Sequence, residues 1–271
     1  MPVIGVLSGK GGVGKTTVTS NLAAALAQEY GRMVIILDTN TYSSHIRLHF
    51  GIYGDVPFTL NDVVKKKKYA DFVYSHGPAG VEIIPSSATA KNVSFKRLKN
   101  FVNKLASSKY DYVIVDCAPG FGKDVQSAIK ATDELIVVTT PQIPDVEDAL
   151  KIIELVEMMG KKVTGVIINN VKGAKYELDI EQLEETFDVP VLGIIPYDKK
   201  VPESIAAGVP LIVYAKYSDA ATEIKKLAAK IAGETYKPSS PWQRLKHFLI
   251  GERFEFKQRP EEFLVSRPSE I

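Results

Sequence analysis

The most constraining stretch of this 271-residue chain is Gly9-Lys10-Gly11-Gly12-Val13-Gly14-Lys15-Thr16, set between the apolar run Val3–Leu7 and a helical pattern, Thr16–Tyr30. Its glycines leave the backbone free to turn N–H groups inward, and the following helix points the positive end of its dipole at the same place. The result is a cradle for anionic oxygen atoms. The spacing G-x-x-x-x-G-K-[ST] between a strand and a helix is the phosphate loop in the context that motif requires. Lys15 is placed to reach the β- and γ-phosphates of ATP and the Thr16 hydroxyl to ligate Mg²⁺, while Gly11, Gly12, Val13, Gly14 and Thr17 complete the expected nucleotide contact.

A strand–loop–helix unit of this kind needs a parallel sheet to sit in, and the rest of the chain supplies one. Apolar, β-branched runs recur at Val34–Leu37, Val81–Ile84, Tyr112–Val115, Leu135–Val138, Val163–Ile168 and Val191–Ile195. Most lack polar alternation, as strands buried on both faces do. Helical patterns lie between them, clearest at Ser94–Ala106, Asp145–Met159 and Ser218–Ile231. The expected fold is α/β, the three-layer P-loop NTPase arrangement of a mostly parallel sheet with helices on both faces. Residues 1–235 form the expected ATPase domain and 236–271 a C-terminal tail, divided where Pro and Ser cluster.

Composition narrows the function. A net charge of +2 gives no electrostatic case for nucleic acid, which is therefore the disfavoured partner. The single cysteine, Cys117, rules out an intramolecular disulfide and any cysteine-pair metal site. No apolar run reaches membrane-spanning length, and the first residues lack the pattern of a signal peptide, so the expected location is cytoplasmic. The four histidines, His45, His49, His76 and His247, are dispersed and suggest no metal site. Lys65–Lys68 reads as a solvated helix end.

The loop's Lys10–Thr17 resembles the K-G-G-x-G-K-T-T of the MinD/ParA family of deviant Walker ATPases, closest to archaeal-type MinD-like proteins. The resemblance continues through Asp116–Gly120 (D-x-A-P-G), Ile195–Asp198 (I-P-x-D) and Gly208–Leu211. It implies an ATP-dependent homodimer with a further, unidentified protein partner. Lys10 would reach across the dimer to the opposite subunit's phosphates, a cation delivered in trans. Asp148 aligns with an acidic residue that pairs with this lysine in MinD proteins. Asp116 would orient Mg²⁺ through water, Asp38 would contribute to metal and catalysis from switch I, and Pro119 and Gly120 would form switch II. Asn169 would read adenine, flanked by Pro196 and Asp198.

One departure bears on mechanism. MinD-like switch I segments read D-x-D, whereas this chain has Asp38-Thr39-Asn40. An amide can hydrogen-bond the attacking water but brings no negative charge and takes no proton. Asn40 therefore points to slow hydrolysis, or to a nucleotide-binding regulator with little turnover. A ParA-like ATPase acting on DNA is the other alternative.

In the tail, residues 240–251 read as a short helix with Ser240 as N-cap and Pro241 at the first helical position. Trp242, Leu245, Phe248 and Leu249 share one face, while Arg244, Lys246 and His247 point away, a basic amphipathic pattern suited to a membrane surface. The resemblance extends the expected location to peripheral membrane on that account.

Overall fold

The computed structural model describes residues 2–40, 44–54, 56, 58–65, 69, 72–86, 95–240 and 242. Eight strands form one sheet: β1 (Val3–Leu7), β2 (Val34–Asp38), β3 (Tyr74–His76), β4 (Val81–Ile84), β5 (Tyr112–Asp116), β6 (Glu134–Thr139), β7 (Gly165–Val171) and β8 (Val191–Pro196). Their order is β3-β4-β2-β5-β1-β6-β7-β8, parallel throughout except for β3, which runs antiparallel to β4 at one edge. The three-layer α/β architecture read from the sequence is the observed one.

The unbroken apolar runs are explained by two cores. On β1, Val3 and Leu7 face one hydrophobic cluster while Ile4 and Val6 face the other. β2 splits the same way, Ile35 and Leu37 against Val34 and Ile36. The first cluster lies under α4 (Phe95–Ala106), α5 (Lys123–Ala131), α6 (Ile143–Met158) and α7 (Ile180–Phe187). The second lies under α1 (Lys15–Tyr30), α9 (Leu211–Tyr214) and α10 (Asp219–Ala232). The described helices are completed by α2 (Ile46–His49), α3 (Leu60–Val63) and α8 (Lys200–Ala206).

Strand order places the site. From β1 the chain moves left past β5 to β2, whereas β6, β7 and β8 extend to the right. The direction of winding reverses at β1, and in open α/β sheets ligands bind outside the carboxyl ends of the strands at such a point. The loop Ser8–Gly14 leaves β1 there.

Several elements differ from the sequence reading. The strand expected at Val163–Ile168 is β7, Gly165–Val171, so Asn169 lies inside a strand rather than after one. A register shift against β8 between Ile168 and Val171, with Asn170 at φ 61°, makes a bulge that accommodates both asparagines. α6 begins at Ile143, two residues earlier than expected, because Pro144 sits in the first turn, where its missing N–H leaves no hydrogen bond unmade. The short elements β3, α2, α8 and α9 carry too little periodic signal to be read from sequence. By contrast α5, burying Val125, Ala128 and Ile129, and α7, burying Leu183 and Phe187, are amphipathic, yet both are absent from the helical patterns picked out above. Of the tail, residues 236–240 and Trp242 are described, and Trp242 is 78% exposed. The expected amphipathic helix, with Leu245, Phe248 and Leu249, lies outside the described residues.

Candidate nucleotide site

Two adjoining concavities meet at the phosphate loop. One is a cleft of about 450 Å³ lined by Lys10, Gly11, Gly12, Gly14, Lys15, Thr16 and Thr17 from the loop and by Asn40 from the segment after β2. The other, about 210 Å³, shares Gly12, Gly14 and Thr17 and adds Val13, Asn169, Pro196 and Asp198. Residues chosen from separate motifs thus fall on two connected walls, one suited to phosphates and one to a base.

The loop conformation depends on what touches it. Gly14 adopts φ +87°, and a Cβ there would overlap Asn169 Nδ2. Asn169 Nδ2 in turn donates to the Val13 carbonyl at 2.8 Å, fixing the loop against β7. Gly9 lies so close to the backbone of Asp148 that no side chain would fit. Cβ atoms at Gly11 and Gly12 would meet nothing within 4 Å, so the cradle is open on its ligand side. Ser8 Oγ is buried with no hydrogen-bond partner among the described residues.

Below the loop, three side chains of α1 converge on Asp116 at the end of β5. Lys15 Nζ lies 2.5 Å from Oδ1, Thr16 Oγ1 donates to Oδ2 at 2.8 Å, and Thr19 Oγ1 lies 3.2 Å from Oδ1. The carboxylate and the threonine hydroxyl are hard oxygen donors of the kind Mg²⁺ takes, and the lysine is a cation suited to phosphate oxygens. The residues present therefore fit ATP and Mg²⁺. Thr19 carries no motif signature and emerges only from the geometry.

Asp38 behaves differently. Like Asp116, with which it pairs in register across β2 and β5, it is buried and lies behind the cleft wall, but among the described residues it takes no hydrogen bond from α1 side chains. Its oxygens are taken by its own loop: the Asn40 N–H donates to Oδ1 at 2.8 Å and Ser44 Oγ to Oδ2 at 2.5 Å. Burial, reinforced by the neighbouring Asp116 charge, pushes its carboxyl up to about 7.

Lys10 Nζ forms an ion pair with Asp145 in the first turn of α6, not with Asp148, which is ion-paired with Lys151 at 3.6 Å. Asp145 is almost fully buried and also accepts the Thr140 hydroxyl at 2.5 Å, so it is the better organised partner. The resemblance to MinD proteins points instead to Asp148, one turn further on. The Lys10 side chain keeps 44% of its surface exposed.

Two further residues were missed. His49, dismissed in the sequence as one of four scattered histidines, lines the phosphate cleft together with His45. Tyr197 lines the base pocket, with Lys172 Nζ 5.3 Å above its ring. No signal short of the fold could have placed His49, whereas Tyr197 stands between Pro196 and Asp198, the two residues that the resemblance puts beside the base.

The family described as ParA, NUBPL iron-transfer P-loop NTPase, matches residues 1–232. This chain belongs to that ParA family. An uncharacterized ATP-binding protein of Methanocaldococcus jannaschii is 39% identical to it over 238 residues, covering 86% of this chain and 88% of the relative. The septum site-determining protein MinD of Pyrococcus horikoshii, solved with Mg-ADP, superposes with a TM-score of 0.77 at 31% identity, covering 85% of this chain and 95% of that one. A MinC:MinD complex from Aquifex aeolicus gives 0.78 at 26% identity, over 89% and 99% of the two chains. The ParA-family chain is thus MinD-like in fold and belongs to a family of ATPases. Iron transfer finds no thiolate pair here: Cys117 is the single cysteine, and burial pushes its thiol up to about 12.

Proposed function

We propose that this protein is an ATP-dependent dimerisation switch of the MinD/ParA type, slow to hydrolyse its nucleotide, which controls the recruitment of a protein partner. The observation that carries the reading is the pair of lysines on one loop. Lys15 is buried and committed to Asp116, whereas Lys10 stands half-exposed at the cleft and is held through Asp145. A second cation at that position suits a role on phosphates presented by another subunit.

Gly11–Gly14 and the N-terminus of α1 would hold the phosphates, with Lys15 at the β- and γ-groups. Thr16 would ligate Mg²⁺ directly and Asp116 through water, and the metal would neutralise charge on the phosphate oxygens. Asn169, Pro196 and Asp198 would enclose adenine. At the cleft wall Asn40 offers the attacking water an amide but no charge, which supports slow turnover. MinC bound to MinD is the precedent, in a relative, for a protein partner.

Sedimentation equilibrium tests the switch. The wild type should be monomeric with Mg-ADP and dimeric with Mg and a non-hydrolysable ATP analogue, and Lys10→Gln should stay monomeric while still binding nucleotide. A Lys10→Gln protein that dimerises normally overturns the trans role. We extend the proposal to a peripheral membrane location through the tail, from its sequence alone. ATP-dependent co-sedimentation with anionic liposomes should be lost in Trp242→Glu, and wild type left in the supernatant with ATP removes the idea.

A further inference from the structure

His49 is a polar ring in an apolar setting. Its neighbours on α2 and just beyond, Ile46 and Phe50, are buried in the core under α1, and His49 itself is 6% exposed. Yet it forms part of the phosphate cleft wall, alongside Lys15, Thr16 and Asn40. Its one hydrogen bond among the described residues joins Nδ1 to Ser20 Oγ at 3.2 Å, one turn along α1 from Thr16.

That contact fixes the tautomer. A serine hydroxyl has one hydrogen, and Ser20 Oγ donates it to the Thr17 carbonyl at 3.0 Å. With that hydrogen directed to Thr17, the hydroxyl accepts from His49, the arrangement that puts the proton on Nδ1 and leaves Nε2 a lone pair. Burial holds the imidazole down at about 4, so the lone pair stays available at neutral pH. The charges it feels include Asp116 and Lys15, the groups at the metal end of the cleft. Asp38, the acid that would otherwise serve there, has both oxygens occupied by Asn40 and Ser44.

We infer that His49 is a positioning residue for the nucleotide's metal, its Nε2 accepting a hydrogen bond from a water in the Mg²⁺ hydration shell, with Ser20 holding the ring in the required tautomer. The inference rests on the Mg-nucleotide reading of the cleft but is independent of dimerisation. Partners of this kind, which orient a metal's bound groups without ligating it, typically change metal affinity by about tenfold or more when removed.

The test is equilibrium binding of a fluorescent mant-ADP to the full chain, first in EDTA and then through a Mg²⁺ titration, with thermal melting of each variant alongside. His49→Leu should bind mant-ADP in EDTA as the wild type does but need about ten times more Mg²⁺ to reach half its Mg-dependent gain. His49→Gln, whose amide oxygen restores an acceptor, should recover part of that loss. A His49→Leu titration that overlays the wild type overturns the inference. So does an equal loss in the Gln and Leu variants, or a loss already present in EDTA, since each assigns the ring to packing. If His49→Leu fails to fold, Ser20→Ala decides: a Mg²⁺ requirement raised several-fold supports the inference and an unchanged one overturns it. Wild type that binds no mant-ADP under either condition would instead sink the nucleotide reading itself, and this inference with it.

Discussion

The phosphate loop and the switch I region stand side by side in the cleft, and they are built on opposite plans. In the loop the contacts converge: Lys15, Thr16 and Thr19 of one helix gather on a single carboxylate, Asp116 at the end of β5. In switch I the work is divided among several separate contacts. Asp38 is closed off by Asn40 and Ser44, His49 leans on Ser20 of α1, and Phe50 packs edge-on against His76 of β3 at 5.2 Å. One region is concentrated on a single carboxylate and the other is spread over local and tertiary contacts. The loop is thus suited to rigid binding, while switch I depends on several independent contacts and is the natural place for variation.

The largest effect should come from breaking the loop. Lys15→Gln removes the cation that pairs with a buried carboxylate and meets the phosphates, so nucleotide affinity should fall by about a hundredfold or more in a mant-ATP titration, since charge-assisted contacts are worth about 1.5–3 kcal/mol each. The melting temperature should fall as well, because Asp116 then lies buried beside Asp38 without its counter-charge. Lys15→Gln with near-normal affinity would mean that the backbone cradle alone holds the phosphates.

The same contrast explains what could be read from sequence. The loop, seven strands and the four longest helical patterns follow from local periodicity, glycine chemistry and spacing. Asp116 is legible because it ends a strand facing the loop, and Asn169 because it matches the family's pattern, although it lies inside β7. Asp145, Thr19 and His49 stay hidden, since their contacts come from elements that meet only in the fold. Asp145 was mistaken for Asp148 because one helical turn is decided by the path of α6 over Gly9, not by residue type. β3 is a three-residue edge strand with no room for a pattern.

The next effect sharpens the picture of the switch I base. His49 and His76 are both buried and held down at about 4 from an ordinary 6.5. His76 Nδ1 accepts from the Ala79 N–H at 3.1 Å, a bond that protonation would break. Between those values the unfolded chain binds the protons and the folded chain does not, so each histidine makes stability rise with pH from about 4 to 6.5 and then level off. Asp38 acts in the opposite sense, since its raised carboxyl makes stability fall as pH climbs from 3.8 to about 7. In urea melts across this range, His76→Gln should lose about 3 kcal/mol of the wild type's rise, the free energy of a shift that large. Parallel wild-type and variant curves would show that His76 titrates normally and that the base of switch I is looser than its packing implies.

The smallest expected change restores a charge to switch I. Asn40 lines the cleft, and its backbone N–H already holds Asp38, so Asn40→Asp alters the side chain while leaving that bond available. A carboxylate there would orient and polarise the attacking water more strongly than an amide, and hydrogen bonds to charged acceptors exceed neutral ones by about 1 kcal/mol or a little more. Steady-state ATP hydrolysis with Mg²⁺ should therefore rise by about five- to tenfold, with nucleotide affinity little changed because the loop supplies it. The new acid would also lie close to Asp38 and press that carboxyl further towards its protonated form. If Asn40→Asp leaves turnover where it was, the water must take its orientation from elsewhere. The division between a loop that binds and a switch I that sets the rate would then have to be redrawn around the backbone of Pro119 and Gly120 rather than around Asn40.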